Sequence, residues 1–342
     1  NYIILDESQN IKNPTSKAFK AIKQLKSRYK LILSGTPVEN TVNDLWTQMS
    51  FINPGLLGSQ TFFQTEFVLP IEKKKDEEKA QKLQALIKPF VMRRTKEQVA
   101  SELPPKTENI FFSEMTEDQA DFYEKTKSEY RNELLKSIES GEFSKSPVQM
   151  LQGLTKLRQI ANHPVLIDTD YSGESSKFTD VIYKLQSVIE AGHKVLVFSQ
   201  FVKQLDLYRN YFEENNIAYS YLDGSTQQRG KVVEEFKNDE TIQVFLISIK
   251  AGGVGLNLTE ADYVFILDPW WNPAVEQQAI DRSHRIGQTK NVFIYKFITK
   301  DTVEEKILAL QNRKLSVAKS LIITEESFIK SLSEEDIKEI LG

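Results

Sequence analysis

Gln278, Arg282 and Arg285 stand at i, i+4 and i+7, a spacing that would set one amide and two guanidinium groups on a single helix face. Gly252, Gly253 and Gly255 lie upstream, directly after an apolar run at residues 244–249. A doubly cationic face beside a glycine turn suits a phosphate or a nucleic-acid backbone. The same arginines could equally form a solvated helix side, because Asp281 is placed for an i, i+4 pair with Arg285. A dinucleotide fingerprint is disfavoured, since Leu258 stands where its third glycine would fall. The second cluster is Asp6 and Glu7, which end a short apolar run at residues 2–5. Two carboxylates at the end of a buried strand are costly without a role; a metal-bound nucleotide would supply one, and a simple strand-end cap is the plainer reading. With no cysteine and only His163, His193 and His284, scattered along the chain, disulfides, thiolate metal sites and a structural zinc are disfavoured.

These residues must be held by folded elements, and 342 residues with 40% hydrophobic content suffice for two or more cores. No apolar run approaches membrane-spanning length, and no basic, apolar leader opens the sequence, so an intracellular protein without membrane association is expected. The net charge of −4 gives no global attraction to nucleic acid and leaves room only for a local basic groove. Residues 2–5 and 29–33 read as strands joined by a helix bearing Ala18, Ile22 and Leu25. Asp6, Glu7, Ser34 and Thr36 then fall at the carboxyl ends of parallel strands, where ligands gather.

From Leu45 to about Pro164 the patterns are helical, with charged loops between. Residues 72–79 read as a solvated charge run, and Arg93, Arg94 and Lys96 as phosphate contacts or partners of Glu97 and Glu102. Thr116 and Gln119 form a candidate capping box. Phe122, Tyr123, Tyr130, Leu134 and Ile138 make the stripe of one helix, Leu151, Leu154, Leu157 and Ile160 that of another, and His163 reads as a packed helix end. After a linker at residues 168–176, strand and helix alternate: strands near 195–198, 219–222, 244–249, 263–267 and 292–298, with a helix opened by Pro273 and closed near Gly287. That alternation predicts a parallel, doubly wound lobe. A helical tail carries Val303, Ile307, Leu310 and Leu315, and Ser333 caps a last helix.

Taken together, the chain resembles the Swi/Snf-type DNA-translocating ATPases of helicase superfamily two, with matches in family order along nearly its whole length. DESQ at residues 6–9 is similar to motif II and LSGTPVEN at 33–40 to motif III. FVMRRTK from Phe90, LPPK from Leu103 and LRQIANHP from Leu157 resemble family-specific helical insertions. KVLVFSQF from Lys194 is similar to motif IV, and YLDGST from Tyr221 to its companion. SIKAGGVGLNL from Ser248 resembles motif V, DPWWNP from Asp268 the segment after it, and QAIDRSHRIGQ from Gln278 motif VI. The implied fold is α/β: the end of a RecA-like first lobe at residues 1–50, helical insertions at 51–167, a RecA-like second lobe at 168–300 and bracing helices at 301–342.

The resemblance implies ATP and Mg²⁺ as cofactors. Asp6 would hold the Mg²⁺ through water, and Glu7 would orient and deprotonate the attacking water. Gln9 and Gln278 would sense nucleotide, with Gly253 and Gly255 beside it, and Arg282 and Arg285 would be arginine fingers acting as the lobes close. Ser34, Thr36, Ser248 and Gly253 would couple closure to the DNA backbone, with Lys250 at the DNA face and Trp271 near the duplex. The implied partners are double-stranded DNA and a DNA-bound protein complex, engaged by a monomer in a bacterial cytoplasm or a eukaryotic nucleus; SIKAGG and DPWWNP favour the former. The family's G-x-x-x-x-G-K-[ST] loop occurs nowhere in the sequence, which leads to the expectation of a fragment, idle on its own. Ile249, Lys250 and Glu39 depart from the Thr, Arg and Gln of many relatives. A non-catalytic DNA- or protein-binding module and a strand-separating helicase are the alternative readings.

Overall fold

A computed structural model describes residues 1–11, 13–34, 42–74, 76–92, 94, 96–139, 147–252, 255–270 and 273–309. The chain divides into two units, residues 1–99 falling in the first and residues 100–309 in the second.

In the first unit, β1 (Tyr2–Leu5) and β2 (Tyr29–Ile32) pair in parallel, with Leu5 opposite Ile32. The crossover helix α1 (Lys17–Lys23) starts where the Ser16 hydroxyl accepts the Phe19 N–H at 3.1 Å, satisfying one of the amides a helix start leaves open. Ile3, Leu5, Ile22 and Ile32 pack with Phe19 and Phe51, the inward half of a period-two pattern. Next come α2 (Val42–Ile52) and α3 (Gln60–Phe63), the latter continued through a wide turn at Gln64–Val68 into α4 (Leu69–Lys74). The helices α5 (Glu77–Ile87) and α6 (Lys96–Val99) complete the unit. Leu45, Met49, Phe63, Phe67 and Leu83 form the helical core. The charge run at residues 72–79 is more than a solvated face. Glu72 accepts the Val42 N–H that opens α2 at 2.7 Å, and burial pushes its carboxyl up; Asp76 caps α5.

The second unit is built on a six-stranded parallel sheet of order β3-β8-β7-β4-β6-β5. Its elements are β3 (Lys106–Ser113), α7 (Glu117–Glu139), α8 (Pro147–Asn162), α9 (Ser176–Glu190), β4 (Val195–Ser199), α10 (Val202–Glu214) and β5 (Tyr219–Leu222). They continue with α11 (Arg229–Asn238), β6 (Val244–Ser248), α12 (Ile249–Gly252), β7 (Tyr263–Ile266), α13 (Pro273–Ile280) and β8 (Val292–Thr299), then a helical stretch at residues 303–309. β4 and β6 are buried at every position, as strands with both faces covered must be. Leu196, Phe198, Phe245 and Ile247 turn toward Phe236 and Ile280 on one face. Val195, Val197, Val244 and Leu246 turn toward Leu185, Leu205 and Phe212 on the other. The α/β, doubly wound expectation therefore holds for this unit.

Three local expectations are corrected. Residues 106–113 lie in the stretch expected to be helical insertion, yet they form β3, paired with β8 from Lys106 opposite Val292 to Ser113 opposite Thr299. Its polar start, Thr107-Glu108-Asn109, hides the strand, and an edge position after two prolines permits it. The helix opened by Pro273 stops at Ile280 and not near Gly287. Asp281-Arg282-Ser283-His284 are weaker helix formers than the residues before them, apart from the arginine, and Arg282 N–H and Ser283 N–H already bond three residues back, to Ala279 and Ile280. The Thr116–Gln119 box is half formed. The Thr116 hydroxyl accepts the Gln119 N–H, but the Gln119 amide reaches across to the Ile160 carbonyl at 2.8 Å.

Candidate functional site

The parallel register of β1 and β2 continues past the strands: Leu33 N–H donates to Leu5 O and Ser8 N–H to Leu33 O. Asp6, Glu7 and Ser34 thus share one carboxyl edge. Asp6 and Glu7 are both exposed, with one Asp6 oxygen accepting the Glu7 N–H at 2.9 Å. Glu7 has φ +51°, a left-handed backbone that non-glycine residues seldom adopt. A strained residue presenting a carboxylate beyond a strand end is the kind of feature that clusters at functional sites. Among the described residues no group of three His, Cys, Asp or Glu side chains could hold a metal unaided. The donor set at Asp6 fits a hard cation that takes one or two carboxylates and completes its shell with water and phosphate, as Mg²⁺ does. Gln9 lies in the turn Ser8–Ile11, with its side chain outside the described residues; Thr36 also lies outside them.

In the second unit the strand order reverses around β4, which has β6 on one side and β7 on the other. The carboxyl ends of β4, β6 and β7 at such a switch point form the standard ligand position of a doubly wound sheet. Ser199 and Ser248 face each other in register there. Ser248 is buried, and its hydroxyl accepts the Ala251 N–H at the start of α12, while Lys250 is exposed. A side chain at Gly252 would meet Ile247 and Phe198 at 3.1 Å, so glycine lets α12 lie against the sheet. Gly255 takes φ +47°; Gly253 and Trp271 fall outside the described residues.

Because α13 ends at Ile280, Gln278 is on the helix while Arg282 and Arg285 are on the turn beyond it, so the three do not share a helix face. Gln278 is half-buried and Arg282 buried; Arg285 is exposed, its guanidinium donating to the Leu256 carbonyl at 3.4 Å. Asp281 accepts instead from Gln277 at 2.9 Å. The turn is strapped to residues 256–261. Leu258 N–H donates to Arg282 O, Ser283 hydroxyl to Ala261 O, and the buried Gln288 amide to Thr259 O and Ala261 O at 3.0 Å and Ser283 O at 3.2 Å. On its other flank His284 Nε2 lies 2.8 Å from the Pro104 carbonyl.

A polar knot beneath the sheet's carboxyl edge was not foreseen as a site. Arg158 of α8 is wholly buried and donates to Pro269 O at 2.5 Å, 3.8 Å from the Asp268 carboxylate. Asp268 accepts the Gln200 N–H, and burial pushes its carboxyl up to about 7 against the pull of Arg158, Ser199 and Lys177. Gln204 joins Ser199 to Asn162. Lys177 and Glu304, both buried, pair at 2.8 Å, and burial pushes the Lys177 ammonium down despite the carboxylate. The signal in the sequence was Arg158 and Asn162 at i, i+4, polar residues interrupting the stripe of Leu154, Leu157 and Ile160. His163 is a packed helix-end residue, its ring nitrogen accepting the Val165 N–H and its pKa lowered by burial.

A parallel, doubly wound sheet with turns at its carboxyl edge defines the class of α/β proteins that carry ligand sites at strand ends. Residues 1–166 match the SNF2-related domain and residues 176–287 the helicase conserved C-terminal domain. The SWI2/SNF2 ATPase core of Sulfolobus solfataricus, solved in complex with double-stranded DNA, is 38% identical, with a TM-score of 0.60 over 99% of this chain and 72% of that one. The chain belongs to the SWI2/SNF2 ATPase family. Among curated relatives, the putative ATP-dependent helicase/translocase YwqA of Bacillus subtilis is 38% identical over 99% of this chain and 37% of its own length. The TATA-binding protein-associated factor MOT1 of Saccharomyces cerevisiae is 32% identical over 99% of this chain and 21% of its own. The chain thus spans about a third or less of these relatives. No helix among the described residues is long and apolar enough to cross a membrane.

Proposed function

We propose that this chain is part of an ATP-dependent double-stranded DNA translocase that displaces or remodels a DNA-bound protein complex. The observation that carries the reading is likeness over 99% of the chain to an ATPase core solved with double-stranded DNA. Likeness to a TATA-binding protein-associated factor supports a protein target. Asp6 would hold Mg²⁺, which supplies charge neutralisation of the nucleotide phosphates. Glu7 would accept the proton of the attacking water, for which its exposed, left-handed position past β1 is suited. Gln9 and Gln278 would contact nucleotide, with Gly253 and Gly255 beside it. Arg282 and Arg285 would neutralise charge on the transferred phosphoryl group. Ser34, Thr36, Ser248, Lys250 and Trp271 would face DNA and grip its backbone rather than read bases. Ser248 would do so through the oxygen that already caps α12, whereas the Lys250 side chain is exposed.

The test is ATP hydrolysis by the full protein, with and without duplex DNA, for wild type and Glu7→Gln. A positioned general base contributes about 10²–10⁴-fold, so a loss of at least a hundredfold with DNA binding retained is expected. Unchanged turnover in Glu7→Gln would remove Glu7 from the chemistry. A wild-type protein that binds DNA without hydrolysing ATP would favour the binding-module reading, and release of a labelled single strand would favour a strand-separating helicase.

A further inference from the structure

Between Glu7 and Glu39 the sequence holds seven basic residues and no acidic one, in a chain whose net charge is −4. Four of them, Lys17, Lys20, Lys23 and Lys26, recur every third residue along α1 and the turn after it, and all four are exposed. Lys30 is instead turned inward, donating to the Phe51 carbonyl at 3.0 Å. At about 100° per residue, Lys17 and Lys20 fall on the side of α1 away from Phe19 and Ile22, which pack onto the strands, and Lys23 falls on the margin of that side. A solvated helix face ordinarily mixes signs, as α11 does with Lys231 3.7 Å from Glu235. Among the described residues no carboxylate pairs with any of the four lysines. Lys20 and Lys23, in the last turn, suit the negative carboxyl end of the helix. Lys17, at the first helical position, opposes the positive amino end and repels Lys20 three residues on, so the row does not serve the helix's own stability.

We propose that the outer face of α1 is a contact surface for the phosphate backbone of duplex DNA, carried by Lys17, Lys20 and Lys23 and separate from Asp6, Glu7 and Ser34 at the strand ends. The inference rests on the reading of this chain as part of a double-stranded DNA translocase; the place of the contact is set by charge. With a rise of 1.5 Å per residue the row from Lys17 to Lys23 runs about 9 Å. Duplex DNA presents about five phosphate charges over that length of axis, so each of the three ammonium groups can meet a phosphate. Beside the lysines the face carries only Ala21 and Gln24. It lacks the aromatic and arginine anchors on which protein interfaces depend, whereas a backbone contact needs none. Ammonium groups on flexible stems act as point charges, so the contact adds affinity without reading sequence.

The experiment measures binding of a labelled duplex to the full protein by fluorescence anisotropy across about 50–200 mM salt. It compares wild type, the triple variant Lys17→Gln/Lys20→Gln/Lys23→Gln and a control, Lys82→Gln/Lys127→Gln/Lys231→Gln. The control removes the same charge from lysines already paired with Glu66, Glu124 and Glu235. Each phosphate contact contributes about 0.9 to the steepness of log affinity against log salt. The α1 triple variant should therefore be shallower than wild type by about 2–3, and Lys17→Gln alone by about 1, with the control unmoved. Glutamine is a good helix former, and the ATPase rate without DNA should stay within about twofold. An α1 triple variant with the wild-type slope means a solvated face or an acidic protein partner, and the inference fails. It fails as well if the control flattens the slope as much, since the effect is then one of bulk charge. Wild-type protein that does not bind the duplex overturns the DNA reading itself, a result seen before any variant is compared.

Discussion

Removing one partner of the Lys177–Glu304 pair should be far more damaging than removing both. The ammonium lies 2.8 and 2.9 Å from the two carboxylate oxygens, and the side chains are 1% and 0% exposed. Lys177→Met strands a buried carboxylate, at a cost of about 3–5 kcal/mol. Glu304→Leu strands the ammonium for a similar cost. It also deprives the Thr299 N–H of an acceptor now at 3.0 Å, which adds about 1–3 kcal/mol. The double variant retains only that last loss, about 1–3 kcal/mol, because neither charge remains. The coupling in the double-mutant cycle should therefore be large, about 6–10 kcal/mol as the two stranded-charge costs summed, and opposite in sign to the sum of the singles. Denaturant unfolding with hydrogen exchange across β8 and residues 303–309 measures it locally, without assuming that both units unfold together. Losses that add in the double variant would show that each side chain matters for its packing and that the charge pairing contributes nothing, refuting the reasoning.

Two further outcomes follow from the same unit. Asp268 has its folded pKa raised from 3.8 to about 7. Its contribution to stability is then fully present below pH 3.8 and lost as pH rises through about 7. The melting temperature of wild type should fall over that window relative to Asp268→Asn, and parallel curves would contradict the assignment. Gln288→Leu removes the donor shared by three carbonyls, worth about 2–3 kcal/mol at roughly 1 kcal/mol per net bond. Exchange of the Leu258 amide, which donates to Arg282 O, should accelerate with it. An unchanged Leu258 amide would mean that Gln288 does not hold the arginine turn.

The second sheet was legible because strands buried on both faces read as unbroken apolar runs. β4, β6 and β7 lie within a residue or two of where residues 195–198, 244–249 and 263–267 placed them. β3 was not legible because its apolar run is only Ile110-Phe111-Phe112, behind four polar residues of which Lys106 and Glu108 form Lys106–Glu108 and Glu108–Lys296 ion pairs. The arginine spacing was visible, but its geometry was misread. A period of 3.6 assumes that the helix persists, whereas the Arg282 and Ser283 N–H groups bond three residues back and the turn that follows is strapped by Leu258 and Gln288, which local spacing does not register. The Asp6–Glu7 strand end was legible from composition; the left-handed Glu7 backbone was not, since nothing in its side chain encodes φ. Arg158 and Glu304 stayed hidden because their partners, Pro269 and Lys177, lie more than a hundred residues away in sequence.

That β3 pairs only with β8 among the described residues also sets a timetable. As the chain leaves the ribosome, β3 must wait for its partner through about 190 further residues, roughly ten to forty seconds at ordinary synthesis rates. Through that interval Ile110 and Phe112, still 42% and 46% exposed in the finished protein, sit on an unpaired strand that other nascent chains can add to. The strand's polar opening, Thr107-Glu108-Asn109, would help keep an early-made edge soluble until β8, the last strand among the described residues, is synthesised.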